Sequence, residues 1–294
     1  MRLRWDWLEP VMPVPFVPTL GPVHPASPLP DLFAAVVKAA GSDRFLPYDK
    51  DRRWSDRKTE QVLVDAIHHG RLRTFVPTLV DRGARTVRVH AYTSAPEELA
   101  AASDLARQLT RAHGAVRARV VSFLAPSQHE ELAHGGFRVQ LRDFTAGPGP
   151  APELPVQEFH RLPPGAGFGE FADAMAPDGF AFLHEQMRTG KTGPVLTVVH
   201  EGRVAGAIGP METMPDAAGT VRLLPQYFGV LPQHRGHGYG RALWRAAMHW
   251  GHEHGAAYQI LQTTVDGPSD SLCAAEGLTS LGVILQAQVR TDQP

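Results

Sequence analysis

The sequence has a single cysteine, Cys273, so an intrachain disulfide framework and a cysteine-rich zinc site are both excluded. It also lacks an excess of charge of either sign, with 29 Lys and Arg against 30 Asp and Glu. Broad electrostatic attraction to nucleic acid or to an anionic membrane is therefore not expected. No apolar run approaches the ~20 residues that a membrane helix needs, and we see no signal peptide, so we expect a cytoplasmic protein.

Proline and glycine, in contrast, are abundant and divide the chain into segments. Residues 1–28 hold seven prolines and predict an extended N-terminal arm. A second proline- and glycine-rich stretch, residues 146–155, predicts a linker. We therefore expect four parts, which are the arm at 1–28, a domain at 29–145, the linker at 146–155 and a second domain at 156–294.

Strand-like and helix-like patterns alternate on both sides of the linker and predict an α/β fold. They include helices over 56–69 and 239–254, a short helix over 127–134 and a long strand over 221–230. A shift of 141 residues aligns the element order of the two halves and places His113-Gly114-Ala115 on His254-Gly255-Ala256. The halves are either an internal duplication or unrelated α/β domains with the same order of strands and helices.

The most informative segment is a glycine-rich turn just before the predicted helix at 239–254. Gly236, Gly238 and Gly240 stand at alternate positions, so backbone N–H groups can face an anion without intervening side chains. The positive end of the helix faces the same place, and Arg235 and Arg241 add charge. The spacing differs from that of dinucleotide-binding folds, and the full P-loop pattern does not occur. The turn therefore predicts a phosphate-binding loop of another kind.

The segment 230–240, Val-Leu-Pro-Gln-His-Arg-Gly-His-Gly-Tyr-Gly, resembles the acetyl-CoA motif of the GNAT (GCN5-related) superfamily of N-acyltransferases. The element order over about 156–290 is similar to that family's as well. The resemblance implies mostly antiparallel, twisted sheets flanked by helices, and direct attack of an amine on an acetyl or other acyl thioester of coenzyme A. It also implies that the acyl-CoA is held by Phe228, Gly229, Val230, Gln233, His234, Arg235, Gly236, His237, Gly238, Tyr239, Gly240 and Arg241.

The proton-transfer residues of the family are only partly matched. The position of its usual tyrosine acid holds Cys273, which is either a thiol proton donor or a small buried cysteine. No glutamate stands on the strand at 221–230, which leaves Glu212 and Tyr227 as polar candidates or as rim and packing residues. An amine of low pKa, or a water relay, would need no strong base. The candidate catalytic residues are thus Glu212, Tyr227 and Cys273.

The first half differs at the corresponding loop, residues 93–99. This loop has no glycine, and Glu97 and Glu98 would repel a pyrophosphate. If the first half is a GNAT-like domain, the resemblance implies a tandem protein with a degenerate first domain. Such a domain would be structural or would form one wall of the acceptor pocket.

The expected partners follow from these features. The acceptor is a small-molecule amine and the co-substrate is an acyl-CoA. No metal is expected, because His249 and His252 have no carboxylate at a suitable spacing. Two alternatives stay open, an acyl carrier protein as the donor and a non-catalytic acyl-CoA-binding protein. Nucleic acid and membrane partners are not expected, and both a monomer and a homodimer are compatible with the sequence.

Overall fold

The computed structural model describes residues 4–128 and 135–290. The chain divides into two compact units, residues 1–141 with 260–294 and residues 142–259. The fold class is α/β with mixed, mostly antiparallel sheets, as predicted. The residues from 260 onward group with the first unit, so the two units differ from the domains expected at 29–145 and 156–294.

The described residues form the following helices and strands, numbered in chain order. The helices are α1 (Leu29–Lys38), α2 (Leu99–Ala112), α3 (Phe168–Ala174), α4 (Phe180–Arg188), α5 (Tyr239–Glu253) and α6 (Pro268–Ala275). The strands are β1 (Phe16–Val17), β2 (Gly21–Pro22), β3 (Glu60–Val62), β4 (His68–Gly70), β5 (Arg73–Asp81), β6 (Arg85–Thr93), β7 (Arg117–Leu124), β8 (Phe137–Asp143), β9 (Gln157–Glu158), β10 (Leu196–His200), β11 (Arg203–Gly209), β12 (Thr213–Pro215), β13 (Val221–Leu223), β14 (Tyr227–Val230), β15 (Tyr258–Thr264) and β16 (Thr279–Val289). None of the helices in the described ranges is long and apolar enough to span a membrane.

The first unit is built on the strand order β3-β5-β6-β7-β16-β8, with β4 pairing on β5. Helix α2 buries Ala102 and Ala106 in a core shared with Val89 and Val120 of the sheet. The proline-rich arm packs in this unit, where Tyr92 donates a hydrogen bond of 2.8 Å to the carbonyl of Phe16. The arm is therefore hydrogen bonded to the sheet of the first unit.

The helix predicted over 56–69 is wrong. This segment forms β3, a 3-10 turn at Val64–Ala66 and β4, and both strands pair antiparallel with β5. The apolar residues Val62 and Ile67 are buried, and pairing at the sheet edge satisfies the backbone that a helix would otherwise have satisfied. The short helix expected over 127–134 falls mostly outside the described residues.

The second unit contains the antiparallel strand order β14-β11-β10-β9. Helices α3 and α4 bury an aromatic core against it, with Phe168, Phe171 and Phe180 at most 5% exposed. Residues of the expected linker also pack in this unit. The carbonyl of Pro150 lies 3.2 Å from His249 Nε2, and Arg245 of α5 makes an ion pair of 2.6 Å with Glu153. This stretch is thereby fixed along α5.

Candidate active site

The strand expected over 221–230 is interrupted, and the interruption creates an unpaired edge. Its first part, β13, pairs in parallel with β15 at two positions, Arg222↔Tyr258 and Leu223↔Gln259. Residues 224–226 lie outside the regular strands, and β14 then pairs with β11 alone over its four residues. Among the described residues, the other edge of β14 has no strand partner. Its peptide groups can therefore pair with an extended ligand.

The glycine turn follows directly on this free edge. Gly236 and Gly238 both have φ of 80°, a left-handed conformation that strongly favours glycine. Gly238 is the N-cap of α5 and supplies no capping side chain. The amides of residues 236–240 donate to no backbone carbonyl in the described part of the chain. The turn thus presents successive N–H groups at the positive end of a 15-residue helix, which is the arrangement that binds phosphate.

Side chains around the turn add cationic and aromatic groups. Arg235 folds back so that its Nε donates to the carbonyl of Val230, at 3.3 Å. The imidazole of His200 hydrogen bonds to the hydroxyl of Tyr239 at 2.8 Å, and its ring centre lies 4.8 Å from that of His234. His237 Nδ1 lies 2.9 Å from the carbonyl of Arg235, so this nitrogen carries the hydrogen. The turn is accordingly held in shape by its own side chains.

The middle of β14 needs glycine because the core approaches it closely. A Cβ at Gly229 would lie 2.6 Å from Met175 Cε and 3.0 Å from Phe180 Cε2. Phe228 and Val230, on either side of it, are half-buried and lie near Gly240 at the start of α5. Gln233 is exposed on the 3-10 turn Pro232–His234. The structure therefore brings the predicted binding residues together along one path, from the free edge to the helix.

Two of the candidate catalytic residues lie at the other end of β14. Tyr227 is half-buried, and its ring packs so closely on Gly179 that a Cβ there would lie 2.3 Å from Tyr227 Cε1. Glu212 is half-buried as well, and its carboxylate accepts a hydrogen bond of 3.1 Å from the amide of Gly193. Its backbone carbonyl accepts from the amide of Leu224 at 2.9 Å. Glu212 is therefore attached to the segment that interrupts the strand.

The third candidate, Cys273, belongs to the first unit, where it lies on α6 and is 2% exposed. Burial, together with the negative charges of Asp270 and Glu276, raises the pKa of its thiol to about 12. A thiol in such surroundings is a weak acid and packs as a small apolar side chain. The local environment of Cys273 thus favours the buried-cysteine alternative.

Sequence reasoning missed a pair of glutamines, one in the interruption of the strand and one on the neighbouring strand β15. Gln259 is fully buried, and its Nε2 donates to Gln226 Oε1 at 2.7 Å and to the carbonyl of Leu224 at 3.3 Å. Gln226 Nε2 donates to the same carbonyl. Only the position of Gln226, next to Tyr227, could have singled it out, because a glutamine has no chemical signature of its own.

The first unit differs from the second at the residues that correspond to β14. Under the 141-residue shift, residues 86–89 correspond to β14. They are paired, since β6 and β7 form a continuous parallel ladder from Thr86↔Arg117 to Ala91↔Ser122. Beyond it, the rings of Tyr92 and Phe123 stack at 4.9 Å. At the start of α2, Glu98 forms an ion pair with Arg73. This unit therefore has neither a free strand edge nor an open helix start at those positions.

No group of three or more His, Cys, Asp or Glu side chains in the described ranges could hold a metal ion. The Nε2 atom of His249 lies 3.2 Å from the backbone carbonyl oxygens of both Gly149 and Pro150.

The residues that form the free strand edge and the glycine turn also match a known protein family. Residues 156–271 match the model of the acetyltransferase (GNAT) family. A mycothiol acetyltransferase from Tsukamurella paurometabola is 35% identical over 122 residues, which are 42% of this chain and 38% of that protein. The chain thus spans well under half the length of this relative. The family match includes the glycine turn, as the resemblance of that turn predicted.

Two solved structures also align with this chain. A GCN5-related N-acetyltransferase from Sphaerobacter thermophilus aligns with a TM-score of 0.46 at 17% identity, over 76% of this chain and 82% of that one. A tandem GNAT protein from the clavulanic acid biosynthesis pathway aligns with a TM-score of 0.43 at 18% identity, over 76% and 80% of the two chains.

Proposed function

We propose that this protein transfers an acetyl group from acetyl-CoA to the amine of a small molecule, using one donor site formed by β14 and the start of α5. The observation that carries the proposal is the free edge of β14 leading directly into the glycine turn. The membership of residues 156–271 in an acetyltransferase family supports it.

The donor would bind in two parts. The pyrophosphate would accept hydrogen bonds from the amides of residues 236–240, with Arg235 and Arg241 adding positive charge. The pantetheine arm carries amide groups and would pair with the free edge of β14 like an added strand. This arm would run from Val230 toward Tyr227, so the thioester would arrive at the Tyr227 end.

The chemistry at that end would be direct transfer. The lone pair of the amine nitrogen forms a bond to the thioester carbon, and the carbon–sulfur bond breaks with its electron pair going to sulfur. A backbone N–H at the end of the strand would stabilise the negative charge that develops on the carbonyl oxygen. One N–H proton leaves to solvent, and the coenzyme thiolate takes up a proton. Glu212 is our candidate base, which would take this proton from the amine and release it to solvent, because its backbone carbonyl is hydrogen bonded to Leu224 in the interruption of the strand.

We further propose that the chain has one donor site and not two. The strand β6 is paired where β14 is free, and Glu98 occupies the start of the corresponding helix. These features support a structural role for the first unit, within a tandem GNAT arrangement.

The proposal is tested by incubating the protein with acetyl-CoA and a panel of small amines, and by measuring free thiol and the acetylated product. The acceptor of the mycothiol acetyltransferase belongs in the panel because that relative is 35% identical in the matched region. Amine-dependent formation of both products is expected. Tight binding of coenzyme A without transfer to any amine would instead favour a non-catalytic binding protein.

The alternative donor, an acyl carrier protein, shares the phosphopantetheine arm with coenzyme A. The affinities of the protein for coenzyme A, dephospho-coenzyme A and phosphopantetheine distinguish a coenzyme A donor from a carrier-protein donor. A contribution from the nucleotide part supports acyl-CoA, whereas equal affinities for all three would favour a carrier.

A further inference from the structure

The closed end of the proposed donor site is the place where β13 and β15 stay paired, and it holds Gln226, in the interruption of the strand, and Gln259, on β15. β13 and β15 are hydrogen bonded at Leu223↔Gln259, and the free edge of β14 begins at Tyr227. Gln226 stands one residue before that edge, about 3.3 Å along an extended chain. The donor thioester of the proposed function would therefore stop next to Gln226.

The orientation of Gln226 is fixed by its neighbours. Its Nε2 donates to the carbonyl of Leu224, and its Oε1 accepts from Gln259 Nε2 at 2.7 Å. Because both partners of Gln259 Nε2 are oxygen acceptors, the nitrogen and oxygen of that amide cannot be exchanged without losing both bonds. Gln226 is half-buried, and an amide oxygen has a second lone pair that can accept one more hydrogen bond.

The arrangement includes an unsatisfied polar atom. Gln259 is 0% exposed, and its Oε1 has no hydrogen-bond partner among the described residues. A buried acceptor without a partner destabilises a fold, and an apolar side chain of similar size would avoid this penalty. The fold tolerates Gln259, which indicates that its two donated bonds serve more than stability.

We propose that Gln226 Oε1 accepts a hydrogen bond from the attacking amine, and that Gln259 is the positioning residue that fixes this oxygen at the closed end of the site. The inference rests on the proposed function and identifies the acceptor as a group that keeps an N–H donor while it attacks, such as a primary amine. Gln226 takes up no proton, since a neutral amide is too weak a base. The amine proton leaves to solvent as described above.

The main test is the substitution Gln259→Leu in the full-length protein. Leu224 keeps the hydrogen bond from Gln226, and the unsatisfied oxygen is removed. We therefore expect thermal stability to be equal or higher and coenzyme A affinity to stay within about twofold. The kcat/KM for the amine should fall about tenfold, since Gln226 Oε1 loses the hydrogen bond from Gln259 that fixes its position. Tyr258→Phe is the matched control, because it removes a hydrogen bond to Asp216 from the adjacent residue and should leave kcat/KM unchanged.

The pH dependence of activity in a further variant distinguishes the loss of the hydrogen bond from a change in side-chain shape. In Gln259→Glu, a protonated carboxyl can donate to Gln226 Oε1, whereas an ionised one cannot. Activity of this variant should therefore recover as the pH falls, relative to wild type. Gln226→Ala, at a half-buried position, should lower kcat/KM for the amine as much as Gln259→Leu, and it keeps the test valid if the latter does not fold.

Two results would overturn the inference. One is a kcat/KM within twofold of wild type in both Gln259→Leu and Gln226→Ala. The other is a loss of coenzyme A affinity that accounts for the whole effect, since this would make the pair a part of the donor site only. Failure of the proposed function is a different result, because wild-type protein would then bind coenzyme A and transfer no acetyl group to any amine.

Discussion

Replacing Gly238 by glutamate should abolish coenzyme A binding and leave the protein folded. Gly238 is the N-cap of α5, with φ of 80° and ψ of −6°. Its amide and those that follow are the groups that would hold the pyrophosphate. A glutamate at this position brings a carboxylate to the place where the phosphate oxygens would lie, and its own charge satisfies the helix end.

The magnitude can be worked out from two contributions. Two unit charges ~4 Å apart repel by about 1 kcal/mol in water and about 4 kcal/mol near a protein surface. The pyrophosphate carries more than one charge, so a loss of about 3 kcal/mol or more is expected, which is at least 100-fold in Kd. The left-handed backbone conformation of a residue with a side chain costs about 1–2 kcal/mol of stability. This second contribution does not depend on the ligand.

Gly255→Glu is the matched control. Gly255 follows the same helix at its other end, has φ of 75° and has no atom within 4 Å of an added Cβ. The backbone strain is the same, and a negative charge at a helix C-terminus is itself unfavourable. The control should thus lose at least as much stability as Gly238→Glu and bind coenzyme A like wild type. Isothermal titration calorimetry and thermal unfolding measure both quantities. A Kd within threefold of wild type for Gly238→Glu, or an equal loss in both variants, would refute the reasoning.

Three further predictions concern stoichiometry, stability and the cysteine. Titration calorimetry should give one coenzyme A per chain, because β6 is paired where β14 is free; two equivalent sites would contradict this. Burial lowers the pKa of His90 to about 4, so the unfolded chain binds an extra proton between that value and 6.5. The free energy of unfolding should therefore fall by about 2 kcal/mol from pH 7 to pH 5. Urea titrations of His90→Gln should lack this loss. An equal loss in that variant would rule out His90 as its cause. Cys273→Ala should lower stability by about 1 kcal/mol and retain kcat; a tenfold lower kcat with unchanged coenzyme A affinity would identify the thiol as the acid.

The glycine turn could be predicted from the sequence because it is local. Its function depends on a few adjacent residues, and the helix expected over 239–254 forms as α5 at Tyr239–Glu253. The α/β class followed from patterns of the same short range. Such features need no knowledge of distant partners, which is why composition and spacing suffice to find them.

Features that depend on distant pairing were harder to predict. The segment 56–69 has apolar spacing compatible with a helix, and only pairing with β5 makes it extended. The interruption of the strand at 224–226 likewise depends on β15, which pairs with β13 and not with β14. Gln259 lies 33 positions from Gln226. No pattern in the sequence links two glutamines at that separation, so the pair becomes visible only in the folded chain.

The free edge of β14 has a consequence for the protein without its coenzyme. Unpaired N–H and C=O groups on a sheet edge are a template for strands of other molecules, and they promote aggregation. β14 limits this risk because it is four residues long and ends just before Pro232, which cannot donate a ladder hydrogen bond. A bound coenzyme would cover the same edge completely, so it would protect the protein from self-association for as long as it stays bound.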